Sequence, residues 1–128
     1  MLGRMATATP RKSVLLVEDE EDIRAAVAEI LEDEGFEVVI ASNGVEALDE
    51  LKHMGRPTLI VLDLMMPVMN GHEFLASIRD TPKLKAVPVL VLTAVATEAP
   101  PGARDMLRKP FIVEELLEAV QRVCAPAP

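Results

Sequence analysis

Residues 59–62 (Leu-Ile-Val-Leu) run straight into a carboxylate at Asp63, and Pro67 and the Asn70-Gly71 pair then bar the chain from continuing as a strand. A short apolar run between such breakers reads as a strand buried on both faces, as in a parallel sheet. The same pattern recurs. Residues 13–17 stop at Glu18-Asp19, residues 89–92 at Thr93, and Met106-Leu107 at Arg108-Lys109. Parallel strands share one C-terminal edge, and ligands of open α/β sheets bind there. Glu18, Asp19, Asp63, Thr93 and Lys109, dozens of residues apart, thereby converge on one pocket.

Carboxylates gathered at one edge raise one another's pKa unless a cation joins them. Mg²⁺ suits this set, because it takes oxygen ligands, keeps several waters and uses one or two carboxylates. With no His or Cys at these strand ends, zinc is disfavoured. Lys109 adds a compact mobile cation, and Thr93 a hydroxyl that both donates and accepts. A carboxylate, a metal, an amine and a hydroxyl together suit phosphoryl transfer onto Asp63, with positioning supplying most of the catalysis. Plainer roles compete. Asp63 could be a helix cap or turn residue, Thr93 a turn cap and Lys109 a surface charge. Residues 18–22 could be a dipole-favoured helix start, which is the role assigned to Glu20, Glu21 and Asp22.

The elements that must hold these residues alternate. Strands are expected at 13–17, 36–41, 59–62, 89–92 and 106–107. Helical spacing appears in Ile23, Ala26, Val27, Ile30 and Leu31, closed by Gly35. It appears again in Val45, Leu48 and Leu51 after Asn43-Gly44, in Phe74, Leu75 and Ile78, and in Val113, Leu116, Leu117, Val120 and Val123. Such alternation implies βαβ crossovers and a doubly wound α/β sheet. A chain of 128 residues, half of them apolar, makes one domain. Residues 1–12 read as a disordered leader without a secretory h-region, and 125–128 as a tail or linker stub.

A formal charge of -8 and the absence of Trp and Tyr argue against nucleic acid, and no run approaches membrane-spanning length. Lone Cys124 suits a reducing cytoplasm and is expected as an inert, buried or half-buried thiol. His53 and His72 are expected to face solvent. Met65, Met66 and Met69 are expected to pack the loop after Asp63, with partner contact the alternative.

Five motifs stand in order: Val-Glu-Asp-Glu at 17–20, Leu-Asp-Leu-Met-Met-Pro at 62–67, Asn-Gly at 70–71, Leu-Thr-Ala at 92–94 and Lys-Pro-Phe at 109–111. Together they resemble the receiver domain of bacterial two-component response regulators, over about residues 13–124. The resemblance implies a flavodoxin-like, five-stranded parallel sheet of order 2-1-3-4-5. It implies that Asp63 accepts phosphate from a histidine kinase or a histidine phosphotransfer protein, in a phosphorelay ending on a downstream protein target. Asp19, Asp63 and the backbone carbonyl of Met65 would bind Mg²⁺, with Glu18 acting mainly through a bound water. Thr93 would close on the phosphoryl group, Ala94 would leave room, Lys109 would pair with it, and Lys109-Pro110 would be cis. The expected protein is cytoplasmic, a monomer or weak dimer, and not a turnover enzyme.

The chain departs from the family twice. Only 15 residues separate Thr93 from Lys109, with Pro100-Pro101-Gly102 among them, so the fourth helix of the family is expected to be missing or reduced to a loop. Either Val95 and that loop, or a partner, must then cover the sheet face. Second, Met106 stands where the family carries an aromatic ring that swings inward; methionine fills gaps but lacks a ring's two-position behaviour. Both departures fall on the usual output surface. A non-phosphorylated interaction module is the alternative function. A haloacid-dehalogenase-type phosphatase is disfavoured because Met65 stands where its second Asp would be.

Overall fold

The computed structural model describes residues 12–125, so the expected leader and tail fall, apart from Lys12 and Ala125, outside the described residues. Five strands, β1 (Ser13–Val17), β2 (Glu37–Ala41), β3 (Leu59–Asp63), β4 (Val89–Thr93) and β5 (Asp105–Arg108), form one all-parallel sheet of order β2-β1-β3-β4-β5. Between them run α1 (Glu21–Asp33), α2 (Gly44–Met54) and α3 (Gly71–Arg79), and α4 (Val113–Cys124) closes the chain.

Alternate strand residues feed two separate cores, as the strand period of two requires. Leu15, Val17, Ile60 and Leu62 face α2 and α3 through Ala47, Leu51, Phe74, Leu75 and Ile78. Val14, Leu16, Leu59 and Val61 face α1 and α4 through Val27, Leu31, Leu116, Ala119 and Val123. The central strands β3 and β4 are buried at every position, which is why they read as unbroken apolar runs. Each fully buried leucine or phenylalanine contributes roughly 1.5–3 kcal/mol, so these layers hold the strand ends rigidly.

Local signals set the helix boundaries. Asn43 and Asn70 cap α2 and α3 by accepting from the amides of Glu46 and Glu73, both at 2.9 Å, and Glu73 completes a capping box. Gly35, at φ 96°, terminates α1 as expected. Gly71 is required for another reason: a Cβ there would lie 2.7 Å from the Leu64 Cα.

No helix lies between β4 and β5; residues 94–104 form bends and a turn closed by the Ala103 amide on Pro100 O at 3.0 Å. The face beside the loop is covered by Ala96, Ala103 and Met106, which pack on the α2–α3 core, whereas Val95 is 63% exposed. Val45 and Val113, expected on apolar faces, are 51% and 46% exposed. Both sit in the first turn of helices that start at the sheet's C-terminal rim, where no layer opposes them. Ile40, on edge strand β2, is likewise half exposed. Cys124, expected buried or half-buried, is exposed, because it ends α4 beyond the last core residue, Val123.

Candidate functional site

The five singled-out side chains all stand at the C-terminal edge of the sheet. Glu18 and Asp19 follow β1, Asp63 ends β3, Thr93 ends β4 and Lys109 follows β5. Carboxylate oxygens of Glu18, Asp19 and Asp63 lie within 4.8 Å of one another, with Glu18 and Asp63 buried and Asp19 open to solvent. Lys109 Nζ stands 2.9 Å from Glu18 Oε1 and 3.7 Å from Asp63 Oδ1. The structure thus brings the three acids and the amine together.

Thr93 is buried at the same rim but engaged elsewhere. Its Oγ1 accepts the amides of Val95 at 3.1 Å and Ala96 at 3.0 Å, and its carbonyl accepts the Lys109 amide at 2.8 Å. Register sets it one residue beyond Leu92, the partner of Asp63. Met65, expected to contribute its carbonyl, donates its amide to Asp63 Oδ1 at 3.2 Å, and its side chain is 63% exposed. Met66 and Met69 pack on the core as expected of them. Lys109-Pro110 is cis.

Burial and the charge of Glu18 raise the Asp63 pKa to about 7, against the Met65 amide and the Lys109 ammonium, which pull it down. Burial disfavours the Lys109 ammonium, but the hydrogen bond and charge of Glu18, with the charge of Asp63, outweigh it and the Lys109 pKa is raised. Three acids facing one amine leave a surplus of negative charge at an oxygen-only site, the donor chemistry that suits a hard divalent cation.

One residue in contact with this rim escaped the sequence reading. Arg24, in the first turn of α1, donates Nη1 to the backbone carbonyls of Glu18 at 2.9 Å and Asp19 at 3.4 Å. No periodicity or motif signals a side chain that binds main chain.

Comparison with known proteins decides the family. Residues 14–121 match the response regulator receiver domain. The chain belongs to that family. It is 38% identical to an uncharacterized 14.6 kDa protein of Leptolyngbya boryana, over 90% of this chain and 92% of that one. Other curated relatives, several of them transcriptional regulators, are longer, and this chain spans about half their length. Among solved structures it resembles the chemotaxis response regulator CheY4 of Vibrio cholerae (37% identity, TM-score 0.80, covering 89% of this chain and 99% of that one). It also resembles the receiver domain of the sensor histidine kinase PA1611 of Pseudomonas aeruginosa, solved with a magnesium ion in its active-site cleft (28% identity, TM-score 0.82, 90% and 98% coverage).

The family works in two-component signalling, and its receivers interact with histidine kinases or phosphotransfer proteins. Among the described residues no helix is long and apolar enough to cross a membrane.

Proposed function

We propose that residues 13–124 form a phospho-accepting receiver, phosphorylated on Asp63 in a Mg²⁺-dependent way by a histidine kinase or phosphotransfer protein of the cytoplasm. The observation that carries this reading is the cluster of Glu18, Asp19 and Asp63 carboxylates within 4.8 Å of one another, with the Lys109 ammonium beside them. Asp19, Asp63 and the Met65 carbonyl would hold the ion, with Glu18 behind them. When bound, the metal supplies charge neutralisation for the incoming phosphoryl oxygens and for the acids themselves.

The chain's own groups have definite tasks. An Asp63 oxygen attacks phosphorus, the P–N bond of the donor phosphohistidine breaks, and the imidazole leaves with the electron pair and takes up a proton. Lys109 uses one of its three donors on Glu18, so others can meet a phosphoryl oxygen. Thr93 Oγ1, which accepts the amides of Val95 and Ala96, would turn from them to donate its proton to the phosphoryl group. An open groove of roughly 650 Å³ beside Lys109, lined by Ile23, Ala26, Ile30, Phe111 and Val113 among others, suits an amphipathic helix carrying the donor histidine. Attack of water on phosphorus would break the bond to the Asp63 oxygen, releasing inorganic phosphate and the Asp63 carboxylate, so the chain turns over only its own phosphoryl group.

The output face differs from the family pattern, and readout through the helix-free segment 94–104 and Met106 to a downstream protein is part of the proposal. Treatment with acetyl phosphate and Mg²⁺ should add one phosphoryl mass, lost with EDTA and lost in Asp63→Asn. No mass gain from acetyl phosphate or from any partner kinase would leave the non-phosphorylated interaction module as the reading.

A further inference from the structure

We infer that Arg24 is a positioning residue of the metal site, fixing the Glu18–Asp19 backbone so that both carboxylates point at Asp63; the inference rests on the Mg²⁺ reading above. The segment between β1 and α1 is three residues long and carries two of the three clustered acids. Consecutive side chains on extended backbone diverge, so directing both at one point requires the intervening peptide planes to be held in particular rotations. One residue does that. Arg24 Nη1 lies 2.9 Å from Glu18 O and 3.4 Å from Asp19 O, and the Arg24 amide donates to Glu20 O at 2.9 Å. The guanidinium therefore ties two successive carbonyls, and the Glu20 carbonyl next to them accepts the first backbone bond of α1. On the other side the Glu18 amide is held by Ala41 O at 3.0 Å, and the Glu20 amide by Glu18 Oε2 at 3.2 Å.

Helix energetics do not explain an arginine there. A cation in the first turn opposes the helix macrodipole, and the acids Glu21 and Asp22 already supply the favourable charge. Nor is the guanidinium paired with a carboxylate within 4.0 Å among the described residues. Its hydrogen bonds go to main chain, to the carbonyls of Glu18 and Asp19, one acid that would meet the ion and one that would stand behind it. Partners that orient ligands in this way typically change metal affinity by about 10–100-fold when removed.

The sign of the effect separates positioning from simple charge. A cation close to a Mg²⁺ site repels the ion, so if Arg24 acted only through space, its removal would tighten binding. If it positions the acids, removal weakens binding despite the charge relief. The experiment titrates the apoprotein with MgCl₂, following the backbone amide resonances of Asp63 and Met65, in wild type, Arg24→Gln and Arg24→Lys. Thermal midpoints in EDTA verify that each variant is folded.

The expected result is a Kd raised about tenfold in Arg24→Gln and largely restored in Arg24→Lys, whose ammonium can reach the same carbonyls. An unchanged or lower Kd in Arg24→Gln overturns the inference, as does a loss in Arg24→Lys equal to that in Arg24→Gln. Should Arg24→Gln fail to fold, Arg24→Ala takes its place: a Kd raised at least threefold supports the inference, and an unchanged or lower Kd overturns it. Absence of Mg²⁺ binding in wild type would instead sink the underlying metal reading, so the two failures are distinguishable.

Discussion

Replacing Asp63 by asparagine in the metal-free protein should stabilise the fold, and increasingly so as the pH rises. Asp63 ionises near pH 7 in the folded state against 3.8 for an ordinary aspartate, first because it is buried and second because Glu18 is beside it. Between those values the folded state binds the proton that the unfolded state has released, so stability falls with rising pH. The stabilisation from a protonated Asp63 is complete below pH 3.8, declines through about 7 and is gone above it. The rise from 3.8 to about 7 corresponds to a ceiling of about 4 kcal/mol. Relaxation of the rim and rearrangement of Lys109 reduce this, so the expected gain for Asp63→Asn at pH 8.5 is about 1–3 kcal/mol, shrinking toward zero near pH 4.5. Guanidinium unfolding in EDTA, followed by far-ultraviolet circular dichroism because the chain has no Trp or Tyr, measures it. Mg²⁺ at about a hundred times its Kd should restore roughly 2.7 kcal/mol to wild type and much less to the variant. A gain that does not vary with pH, or a variant less stable than wild type at pH 8.5, would refute the account of a charge-frustrated rim.

Other substitutions test other contacts. Lys109→Met strands the buried Glu18 carboxylate and should cost about 3–5 kcal/mol at neutral pH by denaturant unfolding. Arg122→Ala removes a bridge to Asp105 whose partners are 57% and 35% exposed, and should change stability by under about 1 kcal/mol. Gly71→Ala drives a methyl group to 2.7 Å from the Leu64 Cα, so backbone must shift; about 1–3 kcal/mol should be lost, and phosphorylation of neighbouring Asp63 by acetyl phosphate should slow. Val68, a β-branched residue at φ 69° and 79% exposed, is strained where glycine is not; Val68→Gly should raise the thermal midpoint, with a gain of about 0.5–1 kcal/mol after the entropy of glycine is subtracted.

The strands and their polar ends were legible because β3 and β4 are buried throughout, and a residue that breaks an unbroken apolar run must sit where the core ends. The missing helix was equally legible, since Pro100-Pro101-Gly102 cannot form one. Periodicity failed at Val45 and Val113 for a definite reason: it reports which face of a helix is apolar, not how far the helix overhangs the sheet. It also could not say that Ala96 and Ala103, rather than Val95, lie over the open face, because loop residues carry no period. Arg24 was invisible in principle, as any residue may bond to main chain and no pairing of side-chain types betrays it.

If Asp63 is phosphorylated as proposed, the helix-free segment bears on what the site would transmit. Val95 and Ala96 have no helix to join, and both amides donate to Thr93 Oγ1. On the proposed reading Thr93 turns toward the phosphoryl group, and its hydroxyl cannot do so while keeping both bonds. Those amides must then find water or new partners, at about 0.5–1.5 kcal/mol for each bond lost. Ala96 is packed on the same core as Met106, and its carbonyl also accepts from Arg108 at 3.3 Å, so movement at Thr93 is felt on both sides of the loop. A ring need not swing for a signal to leave the site, because release of a short loop anchored at the threonine itself serves the same end. Hydrogen exchange at Val95 and Ala96 should therefore quicken on treatment with beryllofluoride, and protection that is unchanged there would place the readout on another face.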